Sequence, residues 1–124
     1  MKENIIVITT DNELSIRPTT ENTMLDDLQK IVGGRIETVR CLRLGPPYLL
    51  ICNEEGLMMD LPYNPVASNL YGEDMHGNPI VGDISIVKDG YRDGEPDIVG
   101  LTEDEAKELF RKLGGKYSVL KWEV

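Results

Sequence analysis

Arg35-Ile36-Glu37-Thr38-Val39-Arg40-Cys41-Leu42-Arg43-Leu44-Gly45-Pro46-Pro47-Tyr48-Leu49-Leu50-Ile51-Cys52-Asn53 is the stretch on which the fold turns. Two runs rich in β-branched and apolar residues flank Gly-Pro-Pro, a tripeptide that suits neither a helix nor a strand interior, so the segment reads as an antiparallel hairpin. With the tip between Pro46 and Pro47, residues whose numbers sum to 93 face each other. Leu42 then meets Ile51 and Leu44 meets Leu49 on one face, while Cys41 meets Cys52 on the other. Facing cysteines suit a disulfide, but a reducing cytosol keeps thiols reduced. The expectation is a packed pair of thiols, with a redox switch as the alternative.

Upstream, Asn4–Thr10 holds Ile5-Ile6-Val7-Ile8 and reads as a strand. Asp11-Asn12 makes a turn, and Leu14-Ser15-Ile16-Arg17 makes a second strand that Pro18 interrupts. Thr23 opens a helix whose apolar positions are Met24, Leu25, Leu28, Ile31 and Val32, and Gly33-Gly34 closes it. Downstream, Asn53-Glu54-Glu55-Gly56 is a turn and Leu57–Leu61 a short strand. Asn64 with Pro65 behind it starts a brief helix that Gly72 ends. Glu73–Pro79 is expected as loop, Ile80–Val87 as strand, Asp89–Pro96 as polar loop and Asp97–Leu101 as a further strand. Thr102-Glu103-Asp104-Glu105 is a capping box for a helix with Ala106, Leu109, Phe110 and Leu113 as its stripe and Gly114-Gly115 as its stop. Lys116–Val124, with Trp122, closes as a strand. The 124 residues suit a single domain, 1–124. The fold class is α+β: a mostly antiparallel sheet of about five to seven strands, with the two main helices packed on one face.

Apolar residues at 40% and charged residues at 28% give a foldable chain rather than a disordered one. No run approaches the ~18 apolar residues that span a bilayer. The apolar run after Met1-Lys2-Glu3-Asn4 is too short for a signal peptide, so the expected place is the cytoplasm with no membrane partner. The charge of −9 repels nucleic acid, so none is expected to bind directly. That charge is uneven. Glu73–Glu108 holds eleven acids against three bases, whereas Leu28–Asn53 holds Lys30, Arg35, Arg40 and Arg43 against Glu37 alone. A solvated surface explains both, and the acidic stretch also suits a protein-docking face.

Groups for bond-making chemistry are scarce. His76 is the one histidine, so any triad must run through it. Neither cysteine has zinc-ligand spacing, and no phosphate-cradling glycine motif occurs. Asp89–Asp97 offers carboxylates without the alternation of a calcium loop. The chain is therefore expected to be no enzyme and to need no metal or cofactor.

The order helix, Val32-Gly33-Gly34, strand, Cys52-Asn53-Glu54-Glu55-Gly56, Leu61-Pro62-Tyr63-Asn64 with Ala67 and Leu70-Tyr71-Gly72, Ile80-Val81-Gly82, then a Leu101-Thr102-Glu103 helix resembles the DUF3846 family over most of the chain. The resemblance implies a setting in bacteria, phages and other mobile elements, and brings with it no activity, cofactor or catalytic residue.

The candidate site lies around residues 53–71, where Asn53, Asn64, Ser68, Asn69 and Tyr71 gather polar and stacking groups near a proline-bounded turn. Arg40 and Arg43 on the neighbouring hairpin would add positive charge for a phosphate. Turn, cap and packing roles explain the same residues. Two functions fit. One is a non-catalytic module sequestering a small, nucleotide-like anion against a host defence. The other is an acidic module or DNA mimic that occupies a host protein. An open sheet edge would also permit a homodimer.

Overall fold

Ile5-Ile6-Val7-Ile8 are four consecutive β-branched residues, and side chains in a strand alternate between faces, so such a run is stable only in a strand covered on both sides. The structure, a computed structural model, describes residues 2–116 and 121–123, with side chains through residue 114. All four of these residues are buried in β1, Glu3–Ile8, at the centre of the sheet. The chain continues as β2 Glu13–Thr19, α1 Met24–Val32, β3 Ile36–Arg40, β4 Tyr48–Asn53, α2 Pro65–Tyr71, α3 Glu73–His76, β5 Ile84–Arg92, β6 Glu95–Val99, α4 Glu103–Lys116 and β7 Lys121–Glu123. The strand order is β3-β4-β5-β1-β2-β7, and β6 pairs with the far half of β5. Every pairing is antiparallel except β2 with β7. This is the expected α+β fold with a mostly antiparallel sheet.

The two main helices lie on opposite faces, not on one. Ile5 and Val7 pack with Leu49, Ile51 and Val87 against Met24, Leu28 and Val32 of α1. Ile6 and Ile8 pack with Leu14, Leu50, Ile84 and Ile86 against Ala106, Leu109, Phe110 and Leu113 of α4, and α2 joins them through Val66, Ala67 and Leu70. A sheet with an apolar stripe on both sides requires a cover on both. Leu25, counted in the apolar stripe of α1, points away from the sheet and is 55% exposed.

The hairpin register also differs. Facing residues of β3 and β4 sum to 89 (Arg40 opposite Leu49, Glu37 opposite Cys52), so Cys41 and Cys52 are not cross-strand partners. The chain leaves the sheet after Arg40 because the last carbonyls of α2 need donors: Arg43 N–H reaches Leu70 O at 3.1 Å and Leu42 N–H reaches Tyr71 O. Leu42 is consequently exposed.

Pro18 does not end β2, which runs to Thr19. Asn4 turns its own N–H and C=O to Leu101, so its partner Pro18 sits where no ladder bond to β1 is needed. Asp89–Pro96 is not loop but the core of the β5–β6 hairpin. Asp93 and Gly94 at its tip both have positive φ, +52° and +79°, the conformation of a type I′ turn. Glu73–Pro79 contains the short helix α3, β5 begins at Ile84 rather than Ile80 with Val81 only bridging Tyr63, and α4 continues through Gly114-Gly115. At the C-terminus β7 covers 121–123, and residues 117–120 and 124 of the expected strand lie outside the described residues. Among the described residues no helix is long and apolar enough to cross a membrane.

Leu109, 3% exposed, faces the sheet, so Leu109→Ala should cost about 2–5 kcal/mol in urea unfolding. Leu25→Ala should change stability by less than about 1 kcal/mol; equal losses would contradict the two-faced packing.

Candidate functional site

Asparagine prefers helix N-caps because its side chain can accept from the first free amides, and Asn64 does so: Oδ1 accepts from Ala67 N–H at 3.0 Å. Its Nδ2 donates to Ile8 O at 3.1 Å and Gly82 O at 2.9 Å, and the residue is 0% exposed. Ser68, equally buried, donates to Ile80 O at 3.0 Å and accepts from Ile80 N–H at 2.9 Å. Both residues, expected at a ligand, are instead interior ties between α2, the end of β1 and the 80–82 segment. Asn53 is also a tie. It donates to Val32 O at the end of α1 and accepts from Glu55 N–H at 2.8 Å, which shapes the following turn.

Residues 54–60 form that turn rather than the expected strand. Met59 N–H bonds Glu55 O and Leu61 N–H bonds Gly56 O, so the backbone satisfies itself locally. The side chains are thereby left outside: Leu57, Met58 and Met59 are 62%, 80% and 51% exposed. Between this turn and the Asn78–Val81 segment lies a groove of about 390 Å³. Val39, Cys52, Ile80 and the Tyr71 ring contribute apolar surface, and Glu37, Glu54 and Glu55 are the charged residues lining it. Gly56 closes one end, where a Cβ would lie 2.8 Å from Val81 Cγ2. Asn53 lines the groove as well.

The arginines do not reach it. Arg40 pairs with Asp89 at 2.7 Å and borders a separate hollow of about 330 Å³ with Cys41, Tyr48 and His76. Arg43 reaches Asn69 O at 2.6 Å and Asp74 at 2.7 Å, and the guanidinium holds the Asp74 carboxyl below the usual range. Asn69 is exposed on α2. Tyr71 stacks at a tilt on His76, 4.8 Å between centroids. Of the seven residues expected at the site, the fold brings Asn53 and Tyr71 to one groove and leaves Arg40, Arg43, Asn64, Ser68 and Asn69 out of it. Asn64 and Ser68 turn inward to saturate backbone rather than toward the arginines, and Arg43 lies against the end of α2 through Asn69 O and Leu70 O. Sequence reasoning missed Glu37 and the Leu57-Met58 lip. The available signal was three large apolar residues between Gly56 and Asp60, read there as a strand.

Both cysteines are buried and free. Burial pushes the Cys41 thiol up to about 12, helped by the neighbouring Cys52. Burial pushes Cys52 up to about 11, and the Glu37 carboxylate, which accepts from its thiol, adds to this. Among the described residues no group of three His, Cys, Asp or Glu is placed to hold a metal ion. The acids of 73–108 other than Asp83 are divided among α3, the β5–β6 hairpin and α4. Asp83 caps Thr10 N–H, and Asp74, Asp89, Asp97, Glu103, Glu105 and Glu108 are ion-paired.

The model of the DUF3846 family, a domain of unknown function, matches residues 1–114. The chain belongs to this family. No curated protein matches it. Among solved structures, the crystal structure of the small RNA methyltransferase HEN1 is similar, with a TM-score of 0.53 and 18% identity, over 86% of this DUF3846 chain and 15% of that one. The chain thus spans a small part of that protein's length, and at this identity the likeness is one of fold.

Asn64→Ala removes a cap and strands two buried carbonyls, so it should lower stability by about 2–4 kcal/mol. Arg40→Ala, which breaks an exposed ion pair, should cost at most about 1 kcal/mol. Urea unfolding of the two variants checks the contrast. At pH 8 a thiol of pKa about 11 is about one part in a thousand thiolate. Ellman's reagent should therefore leave both cysteines of the native protein nearly untouched and titrate both in guanidinium; prompt native labelling would contradict their burial.

Proposed function

We propose that this protein is a non-catalytic binding module whose ligand sits in the groove between the 54–60 turn and the 78–81 segment. The observation that carries this reading is the lip: Leu57 and Met58, both more than half exposed, border a formed concavity. Large apolar side chains set together at a surface mark binding sites, and methionine adapts to varied partners. The concavity combines an apolar floor with carboxylates at 37, 54 and 55 and the Asn53 and Asn78 amides, and among the described residues no basic side chain lines it. That chemistry favours an apolar body bearing a positive or hydrogen-bonding end over a nucleotide-like anion. With both thiols held protonated and the one histidine stacked on Tyr71, the module acts by holding rather than by making bonds. In a mobile-element setting, such a module would blunt a host process by withholding what it holds. The division of the acids among three elements, most of them already paired, gives the DNA-mimic alternative less support.

Titration of ¹⁵N-labelled protein with arylalkyl amines, compared with the matching carboxylates and with nucleoside monophosphates, tests this. Amines should shift the amides of Val39, Cys52, Glu55 and Val81 and raise the melting temperature, and Glu37→Gln should weaken them several-fold. Amines without effect, or nucleotides that bind beside Arg40 and Arg43, would refute it.

A further inference from the structure

The groove opens beside a sheet edge, and the two features share one strand. β3 has β4 as its neighbour on one side and, among the described strands, none on the other. The bond from Glu54 N–H to Arg35 O, 2.9 Å, sets the alternation of the ladder. Residues 35, 37 and 39 turn their backbone groups to β4, so Ile36, Thr38 and Arg40 turn theirs outward. An outward row of N–H and C=O groups is a template for another extended chain, and proteins commonly protect such edges with proline, lysine or a bulge. β3, Ile-Glu-Thr-Val-Arg, has no proline and pairs with β4 without a bulge, and of its two charged residues Glu37 lines the groove and Arg40 is paired with Asp89. The side chains between the outward groups, Glu37 and Val39, line the groove. A strand added to β3 would therefore place every second side chain over it.

We propose that β3 takes up an extended, basic segment of a partner protein as an added strand, with an aliphatic side chain in the groove and its lysines or arginines against Glu37, Glu54 and Glu55. The inference rests on the groove reading above and names its ligand class. Main-chain bonds along the edge supply affinity in this mode of recognition, and the adjoining pocket supplies selectivity. Charge selects the occupant. The groove carries three carboxylates, Arg40 on the opposite face is held by Asp89, and the chain carries −9, so a cationic segment is attracted and a second copy of the same chain is repelled.

The probe is a blocked peptide, Thr-Lys-Thr-Leu-Thr-Lys-Thr, whose lysines and leucine share one face, added to the ¹⁵N-labelled full chain at low salt. The amides of Ile36, Thr38 and Arg40 should shift together with those of the groove, and hydrogen exchange at Thr38 should slow by about tenfold or more. Glutamate in place of the lysines, or N-methylation of the third and fifth residues' amides, should each weaken binding by about tenfold or more. Undiminished binding of the N-methylated peptide, or groove shifts without slowing at Thr38, overturns strand addition and leaves the groove reading standing. No response to the peptide, with amines still shifting the groove, likewise overturns this inference alone; silence toward both removes both. A free protein that sediments as a dimer, and becomes monomeric on Thr38→Pro, would give the edge to a second copy and overturn the proposal.

Discussion

The buried amide of Asn64 holds the sheet, α2 and the 80–82 segment to one another. With no exposure to water, each of its polar atoms must be satisfied within the protein, since an unpaired group there would cost about 1–3 kcal/mol. Three bonds to Ala67 N–H, Ile8 O and Gly82 O meet that demand at once. They fix where α2 starts, where β1 ends and how the chain returns into β5. Ser68 repeats the device one turn along the helix by holding both backbone groups of Ile80. The wall of the groove formed by Ile80 and Val81 is thus fastened by side chains that never touch a ligand.

From this fastening follows the division of the surface. α4 and α2 cover β1, β2 and the middle of the sheet, and α1 covers the opposite face. Toward β3 the α2 face runs out of helix, and the 54–60 turn and the 78–81 segment stand on either side of the uncovered strip. Asn53 sets the turn from below by capping Glu55 while it ties down the end of α1. A cavity held by buried hydrogen bonds on both sides is organised before its ligand arrives, which reduces the ordering cost of binding. The lip of leucine and methionine is the part left free to adapt.

Much of the fold is legible in the residues because local chemistry decides it. Asn64-Pro65 and Gly72 bound α2 as expected, Gly33 ends α1 in the left-handed conformation, and Thr102 with Glu105 forms the reciprocal box that starts α4. What escaped depends on contacts distant in sequence. The hairpin register shifted by four residues because residues 42 and 43 are drawn to the carbonyls of α2, some 28 residues away. Leu57–Leu61 reads as a strand only where its apolar residues are buried, and Leu57, Met58 and Met59 are exposed. The run Ile5-Ile6-Val7-Ile8 did carry the signal for helices on both faces, since four buried neighbours cannot share one side. The site was the least legible part: residue type marked Asn64 and Ser68 as ligand groups, and only burial distinguishes a hydrogen-bonding tie from a binding residue. Glu37 gained its place in the groove through strand pairing, which no local pattern encodes.

Native-state hydrogen exchange of the Ala67 and Ile80 amides tests the central claim most directly, because these donate to the side-chain oxygens of Asn64 and Ser68. If those side chains fasten the groove wall, both amides will exchange as slowly as those of Ile6 and Ile86 in the middle of the sheet, opening only with global unfolding. Exchange at the rate of the 54–60 turn would mean the wall moves independently of the sheet, and the account of a prebuilt groove would fail.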